Sequence, residues 1–193
     1  LIFINPQLNE KALGLIYSDV ELSTVFVEGV LESKVQRDFD YKKFESTLEE
    51  ITKIISKKLI SVLDIGCGSG LFLRICSERG FICQGVEISP HIAKYVREKY
   101  SLNIITGRWE DVKIAKESKD LVSFWASHSY TQDPVFSIMK ARHCLKKGGI
   151  LMMLIDGNPD SVVMRVLQEK CVGYEYSRLW YFSPSVIKKL LNK

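Results

Sequence analysis

The 193-residue chain has only five prolines and three histidines, and its five cysteines, at 67, 76, 83, 144 and 171, form no C-x-x-C. An odd cysteine count at these spacings fits no disulfide framework, which points to a reducing, cytoplasmic setting. No His, Cys and carboxylate cluster has ligand spacing, so no metal is expected. Long apolar runs are missing as well. The longest reaches only from Ile150 to Ile155, whereas a membrane helix needs about 20 residues. No membrane span and no secretory leader are therefore expected. The first residue is Leu1 rather than Met, so a longer parent chain is expected. Net charge is only +4, with lysines scattered in pairs such as Lys57-Lys58, Lys146-Lys147 and Lys188-Lys189. That pattern reads as a solvated surface, not a track for nucleic-acid phosphates.

Apolar residues make up 46% of the chain and charged residues 26%, enough apolar surface for one folded domain. Lys43 to Lys58 carries a helical stripe of Phe44, Leu48, Ile51, Ile54 and Ile55. From Ile60 the pattern changes to short apolar runs alternating with helical stretches. The predicted strands are Ser61–Ile65, Ile82–Glu87, Asn103–Thr106, Leu121–Trp125 and Ile150–Ile155, nearly continuous in apolar residues as buried parallel strands are. Gly80 closes the helix that begins at Gly70. Ser89-Pro90 reads as an N-cap and first-turn proline. The helix from Pro134 to Leu145 runs into Lys146-Lys147-Gly148-Gly149. Strands alternating with helices predict a doubly wound α/β sheet, which binds ligands beyond the carboxyl ends of its strands.

The stretch Val62-Leu63-Asp64-Ile65-Gly66-Cys67-Gly68-Ser69-Gly70 leads from a strand through three glycines into a helix. Glu87 ends the next strand, where a carboxylate can accept both hydroxyls of a ribose. A dinucleotide fingerprint would need its third glycine at residue 71, which is Leu71. A dinucleotide also needs free amides aimed at a pyrophosphate. The spacing here is G-x-G-x-G, preceded by an acid.

That pattern resembles motif I of the class I S-adenosylmethionine-dependent methyltransferases. The resemblance continues through Gly107-Arg108-Trp109-Glu110-Asp111, similar to the adenine-binding segment, although Arg108 stands where the family often has an acid. Asp133-Pro134 and Leu145-Lys146-Lys147-Gly148-Gly149-Ile150-Leu151 are similar to the family's D-P … L-K-P-G-G-x-L stretch. Ile2-Phe3-Ile4-Asn5-Pro6, Asn158-Pro159-Asp160-Ser161 and Trp180-Tyr181-Phe182-Ser183-Pro184 look like a bacterial subgroup, many of whose members modify sugars or related metabolites. The H-x-x-E-H places of that subgroup hold Ala126, Ser129 and Tyr130 here. The resemblance implies a Rossmann-like, mostly parallel sheet of strand order 3-2-1-4-5. Its sixth and seventh strands would be missing, since the chain stops at Lys193. Residues 1–59 would form an N-terminal helical segment, 60–156 the cofactor-binding core, and 157–193 a helical substrate-side segment.

The implied cofactor is S-adenosylmethionine, with S-adenosylhomocysteine as product. Asp64, Gly66, Cys67, Gly68 and Gly70 would surround its methionine end. Glu87 would hold the ribose, with Ile88, Trp109 and Glu110 around adenine. Phe124, Trp125 and Ala126 would border the sulfonium, and Tyr17 would close over the cofactor. Methyl transfer is direct displacement, so alignment dominates. His128, Tyr130 and Asp156, at the carboxyl edge of the sheet, are the candidates for a base or an acceptor contact. Trp125, Trp180, Tyr174 and Tyr176 could line a pocket or be plain core. The acceptor expected is a small molecule, such as a sugar or nucleotide-sugar. The alternatives are a non-catalytic cofactor-binding module or partner subunit, and an RNA or protein methyltransferase.

Overall fold

The apolar runs form one five-stranded sheet in the computed structural model, which describes residues 1–26, 33–55, 60–171, 173, 174 and 178–192. Lys57, Lys58, Tyr176 and Lys193 lie outside the described residues. In chain order the elements are β1 (Ile2–Phe3), α1 (Glu10–Ser18), α2 (Val20–Phe26), α3 (Lys34–Ile54), β2 (Ser61–Ile65) and α4 (Leu71–Glu78). They continue with β3 (Ile82–Glu87), α5 (Pro90–Tyr100), β4 (Asn103–Thr106), β5 (Lys119–Trp125), a short 3-10 turn (His128–Tyr130) and α6 (Pro134–Cys144). Last come β6 (Leu145–Leu154), α7 (Val162–Leu167), β7 (Trp180–Tyr181) and α8 (Pro184–Leu191).

The sheet order is β4-β3-β2-β5-β6 and all four pairings are parallel. Counted along the core alone, this is the expected order 3-2-1-4-5. Parallel pairing follows from the crossovers: helices follow β2, β3 and β5, and the irregular stretch 107–118 follows β4, each returning the chain to the same end of the sheet. The order turns from one side of β2 to the other after β4, which places a crevice beyond the carboxyl ends of β2 and β5.

Side chains from both sheet faces feed two cores. One joins Val62 and Leu121 to Leu48 of α3, Phe72 of α4 and Val96 of α5. The other joins Leu63, Val122 and Phe124 to Trp109 and to Ala141 of α6. The predicted stripe on α3 is buried at Phe44, Leu48 and Ile51, whereas Ile54 is 71% exposed. α3 also begins earlier than the stripe, because Ser33 caps it by accepting from Gln36 N.

Two features differ from the sequence reading. β6 takes in Lys146-Lys147-Gly148-Gly149, expected as a helix end and loop. Lys146 Nζ lies 2.8 Å from Asp120 Oδ2 and 3.1 Å from Ser61 Oγ, which ties that stretch to β5 and β2. A second sheet, antiparallel β1–β7, joins the two ends of the chain through Ile2–Tyr181 and Phe3–Trp180. Pairs this far apart in sequence leave no local periodicity to read.

Leu48 is fully buried where α3 meets α4. Leu48→Ala is expected to lower unfolding free energy by about 2–5 kcal/mol. Urea denaturation checks this, and a loss below 1 kcal/mol would mean that α3 is not part of the core.

Candidate functional site

Strand register brings the polar residues to one edge of the sheet. Ile65 pairs with Val86 and Glu87 with Thr106, so the glycine loop after β2 lies beside the acid that ends β3. The loop folds back onto β3. Gly66 N and Cys67 N both donate to the Val86 carbonyl, at 2.8 and 3.1 Å. A Cβ on Gly66 would stand 2.5 Å from Ser127 Cβ, and one on Gly70 2.3 Å from Val96 Cγ1. Both glycines also have φ of +68°, which side chains rarely tolerate. Gly68 is different: a Cβ there would meet nothing within 4 Å. It faces a cavity of about 670 Å³, the size of a small-ligand site.

Glu87 is 6% exposed. Its Oε2 accepts from Gly68 N at 3.0 Å and its Oε1 from Ser89 N at 2.9 Å. Burial raises its pKa, while the amides of Ser89, Gly68 and Ile88 oppose the rise. Asp64 is 1% exposed, and Ser123 Oγ donates to its Oδ1 at 2.7 Å. Desolvation lifts its pKa to about 7; the Ser123 hydrogen bond pulls it down and the Glu87 charge pushes it up. Two buried carboxyl groups thus flank the glycine loop.

The cavity lies between these groups and the N-terminal helices. Leu13 and Tyr17 of α1 and Ser23 of α2 line one side, and Gly66, Gly68, Glu87 and Ile88 another. Gly107, Arg108, Trp109 and Glu110 enter from the loop after β4. Trp125, Ala126, Ser127, Tyr130, Thr131 and Gln132 close it after β5. Arg108 Nη1 pairs with Glu10 Oε1 of α1 at 2.8 Å, and its Nη2 donates to Gln132 Oε1 at 2.6 Å. Glu110 Oε1 accepts from Gln132 N at 3.0 Å. Trp125 Nε1 is a buried donor with no hydrogen-bond partner among the described residues.

Of the residues singled out from sequence, Tyr17, Gly66, Gly68, Glu87, Ile88, Trp109, Glu110, Trp125, Ala126 and Tyr130 share this wall. Asp64, Cys67, Gly70, Phe124, His128 and Asp156 stand outside it. Cys67 is core, and burial pushes its thiol up, so it stays protonated. Phe124 is fully buried behind the wall. The Trp109 indole is 4% exposed, lies edge-on to Phe124 at 6.4 Å, and donates to the Ser137 carbonyl at 3.3 Å. Lys140 Nζ covers its ring at 4.5 Å. That indole is committed to the α6 side of the sheet rather than to a ligand face.

His128 is fully buried between Phe124 and Phe182, with ring centroids at 5.3 and 5.1 Å. Its Nε2 lies 3.1 Å from the Pro134 carbonyl, so Nε2 carries the proton. Burial lowers its pKa to about 4. A base role does not suit this geometry; the ring supports the 127–132 loop from behind. Asp156 Oδ2 accepts from Arg178 Nη2 at 2.7 Å, and the same nitrogen lies 3.4 Å from the Tyr130 hydroxyl. Trp180 Nε1 donates to the Thr131 carbonyl at 2.7 Å, and Leu179 N to the Ser129 carbonyl at 3.0 Å. Residues 178–180 therefore hold the loop that carries Tyr130. Tyr174 packs on Tyr181, 5.0 Å between centroids, away from the cavity wall.

Sequence reasoning missed Ser23, Ser123, Ser127, Gln132 and Arg178. Ser89 was legible only as a helix cap. Arg108 stands out in the sequence as a departure, but its partner Glu10 lies 98 residues away (108 − 10), beyond the reach of any local pattern.

The two buried titrating groups act in opposite directions. Asp64 holds its proton more tightly in the folded chain, so its contribution to stability is lost as pH rises from about 4 to about 7. His128 contributes as the neutral ring, and that contribution is lost as pH falls from 6.5 toward about 4. Asp64→Asn is expected to melt close to the native protein at pH 4 and increasingly above it as pH rises to 8, by circular dichroism without ligand. A melting difference independent of pH would refute the raised pKa.

Comparison with known proteins agrees with this architecture. A family described as "Methyltransferase domain" matches residues 63–153. The malonyl-[acyl-carrier protein] O-methyltransferase of Acetivibrio thermocellus is 25% identical over 114 residues, covering 57% of this chain and 40% of that protein. The ubiquinone biosynthesis O-methyltransferase of Saccharophagus degradans is 28% identical over 136 residues, covering 67% of this chain and 54% of that protein. The chain thus spans about half the length, or less, of these curated relatives. Among solved structures, the plantazolicin methyltransferase in complex with S-adenosylhomocysteine superposes with a TM-score of 0.69 at 16% identity, covering 94% of this chain and 73% of that one.

Proposed function

We propose, on the premise that residues 63–153 belong to the methyltransferase-domain family, that this chain binds S-adenosylmethionine and transfers its methyl group to a small-molecule acceptor. The observation that carries this reading is that one cavity joins the open backbone of Gly68 and the buried carboxylate of Glu87 to the Tyr130 wall. The residues fit such a cofactor. Glu87 would take the ribose hydroxyls, and Ile88 would lie against adenine with Arg108 and Glu110 at its rim. Gly66 and Gly68 would face the methionine end, while Gly70 and Cys67 keep the loop in shape. Glu87 supplies a carboxylate at the cavity wall, with Asp64 buried behind the glycine loop. Tyr17 would close the cavity from α1.

When bound, the cofactor supplies a methyl group activated by a sulfonium. The chain's own part is alignment and exclusion of water, and well-aligned reactants gain roughly 7–11 kcal/mol. Trp125 and Ala126 would border the reacting end, with Phe124 as support behind them. Tyr130 would face the acceptor. Asp156 would fix Tyr130 through Arg178, and neutral His128 would hold the same loop. Both curated relatives above are named O-methyltransferases, so oxygen acceptors come first in a screen, with sugars and nucleotide-sugars among them. No helix of the described residues is long and apolar enough to cross a membrane. The five free cysteines fit a cytoplasmic setting.

Calorimetric titration with S-adenosylmethionine, S-adenosylhomocysteine and NADH tests the reading. The first two are expected to bind and NADH is not. Glu87→Ala is expected to weaken S-adenosylhomocysteine about 10- to 100-fold, the loss of hydrogen bonds to a charged group. Binding of NADH alone would overturn the reading. Methyl transfer to any pooled small-molecule acceptor separates an enzyme from a binding module.

A further inference from the structure

A line of buried polar contacts runs from the glycine loop to the N-terminal helices. Gly68 N donates to Glu87 Oε2 at 3.0 Å, and Ser89 N donates to Glu87 Oε1 at 2.9 Å. Ser89 Oγ lies 3.2 Å from Ser23 Oγ on α2. None of these side chains is at the surface: Glu87 and Ser23 are each 6% exposed and Ser89 1%. The same Ser89 oxygen caps α5 by accepting from Ile92 N at 3.4 Å. All four residues of the line border the one cavity. α2 presents Val20, Leu22 and Val25 to solvent, so its seat on the core is not apolar burial at those positions. Glu10 of α1 also pairs with Arg108, through an exposed carboxylate, and such pairs contribute little.

We propose that Ser23 is a positioning residue for the cofactor, coupling the seat of α1 and α2 over the cavity to the Glu87 carboxylate. This rests on the cofactor reading above. Glu87 can take ribose hydroxyls only in an orientation that the Gly68 and Ser89 amides define. Ser89 is in turn fixed by its cap and by Ser23. A ligand that engages Glu87 therefore steadies α2, and a seated α2 steadies Glu87, since coupling between two sites is reciprocal. No atom of Ser23 need touch the reacting groups.

S-adenosylhomocysteine is the probe. Its dissociation from Ser23→Ala, followed by stopped-flow fluorescence, is expected to be about three- to tenfold faster than from the native protein, the scale of one hydrogen bond. Ser23→Thr, which keeps the hydroxyl, is expected to restore the native rate. In hydrogen exchange, amides 10–26 are expected to gain protection on binding in the native protein but not in Ser23→Ala, while amides 66–70 gain it in both. Native-rate dissociation from Ser23→Ala overturns the inference and leaves the cofactor reading standing. So does binding to the native protein without protection of 10–26. No binding of the probe to the native protein overturns both.

Discussion

Glu87 is a carboxylate buried without an ion-pair partner among the described residues, and the site is organised around keeping it there. Its two oxygens are held by main-chain amides on opposite sides, Gly68 on the loop and Ser89 at the cap of α5. Burying an acid unsatisfied would cost several kcal/mol. The amides offset that cost only where β2 and β3 end at the same level, which the Ile65–Val86 register ensures. The glycines follow from the same constraint. The loop must turn tightly enough for Gly66 N and Cys67 N to reach Val86, and Ser127 and Val96 leave no room for side chains at Gly66 and Gly70.

The core was legible because its signals are local. Apolar runs such as Ser61–Ile65 and Leu121–Trp125, caps such as Ser89-Pro90, and the spacing of three glycines each report on a few neighbouring residues. The sheet order then followed from the resemblance. Position along the chain also located the carboxyl edge, and so pointed to Glu87, Tyr130 and Ala126. It does not report which way a side chain faces. His128 and Asp156 sit at that edge, yet one is sealed between two phenylalanines and the other is paired with Arg178. Trp109 borders the cavity while its indole turns toward α6. Contacts between distant segments, such as Ser23 with Ser89 or Trp180 with Thr131, carry no periodicity at all.

The loop after β5 shows how the ends of the chain serve the centre. Ser127 Oγ donates to the Ile65 carbonyl, which fastens the start of the loop to β2. Leu179, Trp180 and Arg178 fasten its far side; Trp180 is itself held by its pairing with Phe3, and the Leu179 carbonyl accepts from Ile4 N. A Cβ at Gly157 would stand 2.4 Å from Arg178 Nη1, so the turn after β6 is shaped around that guanidinium. Alignment is what direct displacement requires of a protein, and here it is distributed over segments more than a hundred residues apart.

Charge decides which ligands such a cavity favours. Asp64 and Glu87 both have raised pKa values because they are desolvated, and the Glu87 charge adds to the rise at Asp64. Neither has a cation beside it among the described residues. In a site of low dielectric, a ligand bringing positive charge relieves that repulsion, while a pyrophosphate would add to it. A dinucleotide loop solves the reverse problem, offering free amides and a helix terminus to phosphate. In this chain the amide of Gly68 is already taken by a carboxylate. The glycine turn thus presents a carboxylate where a dinucleotide loop presents free amides. A sulfonium and an ammonium match that carboxylate where a nicotinamide dinucleotide does not.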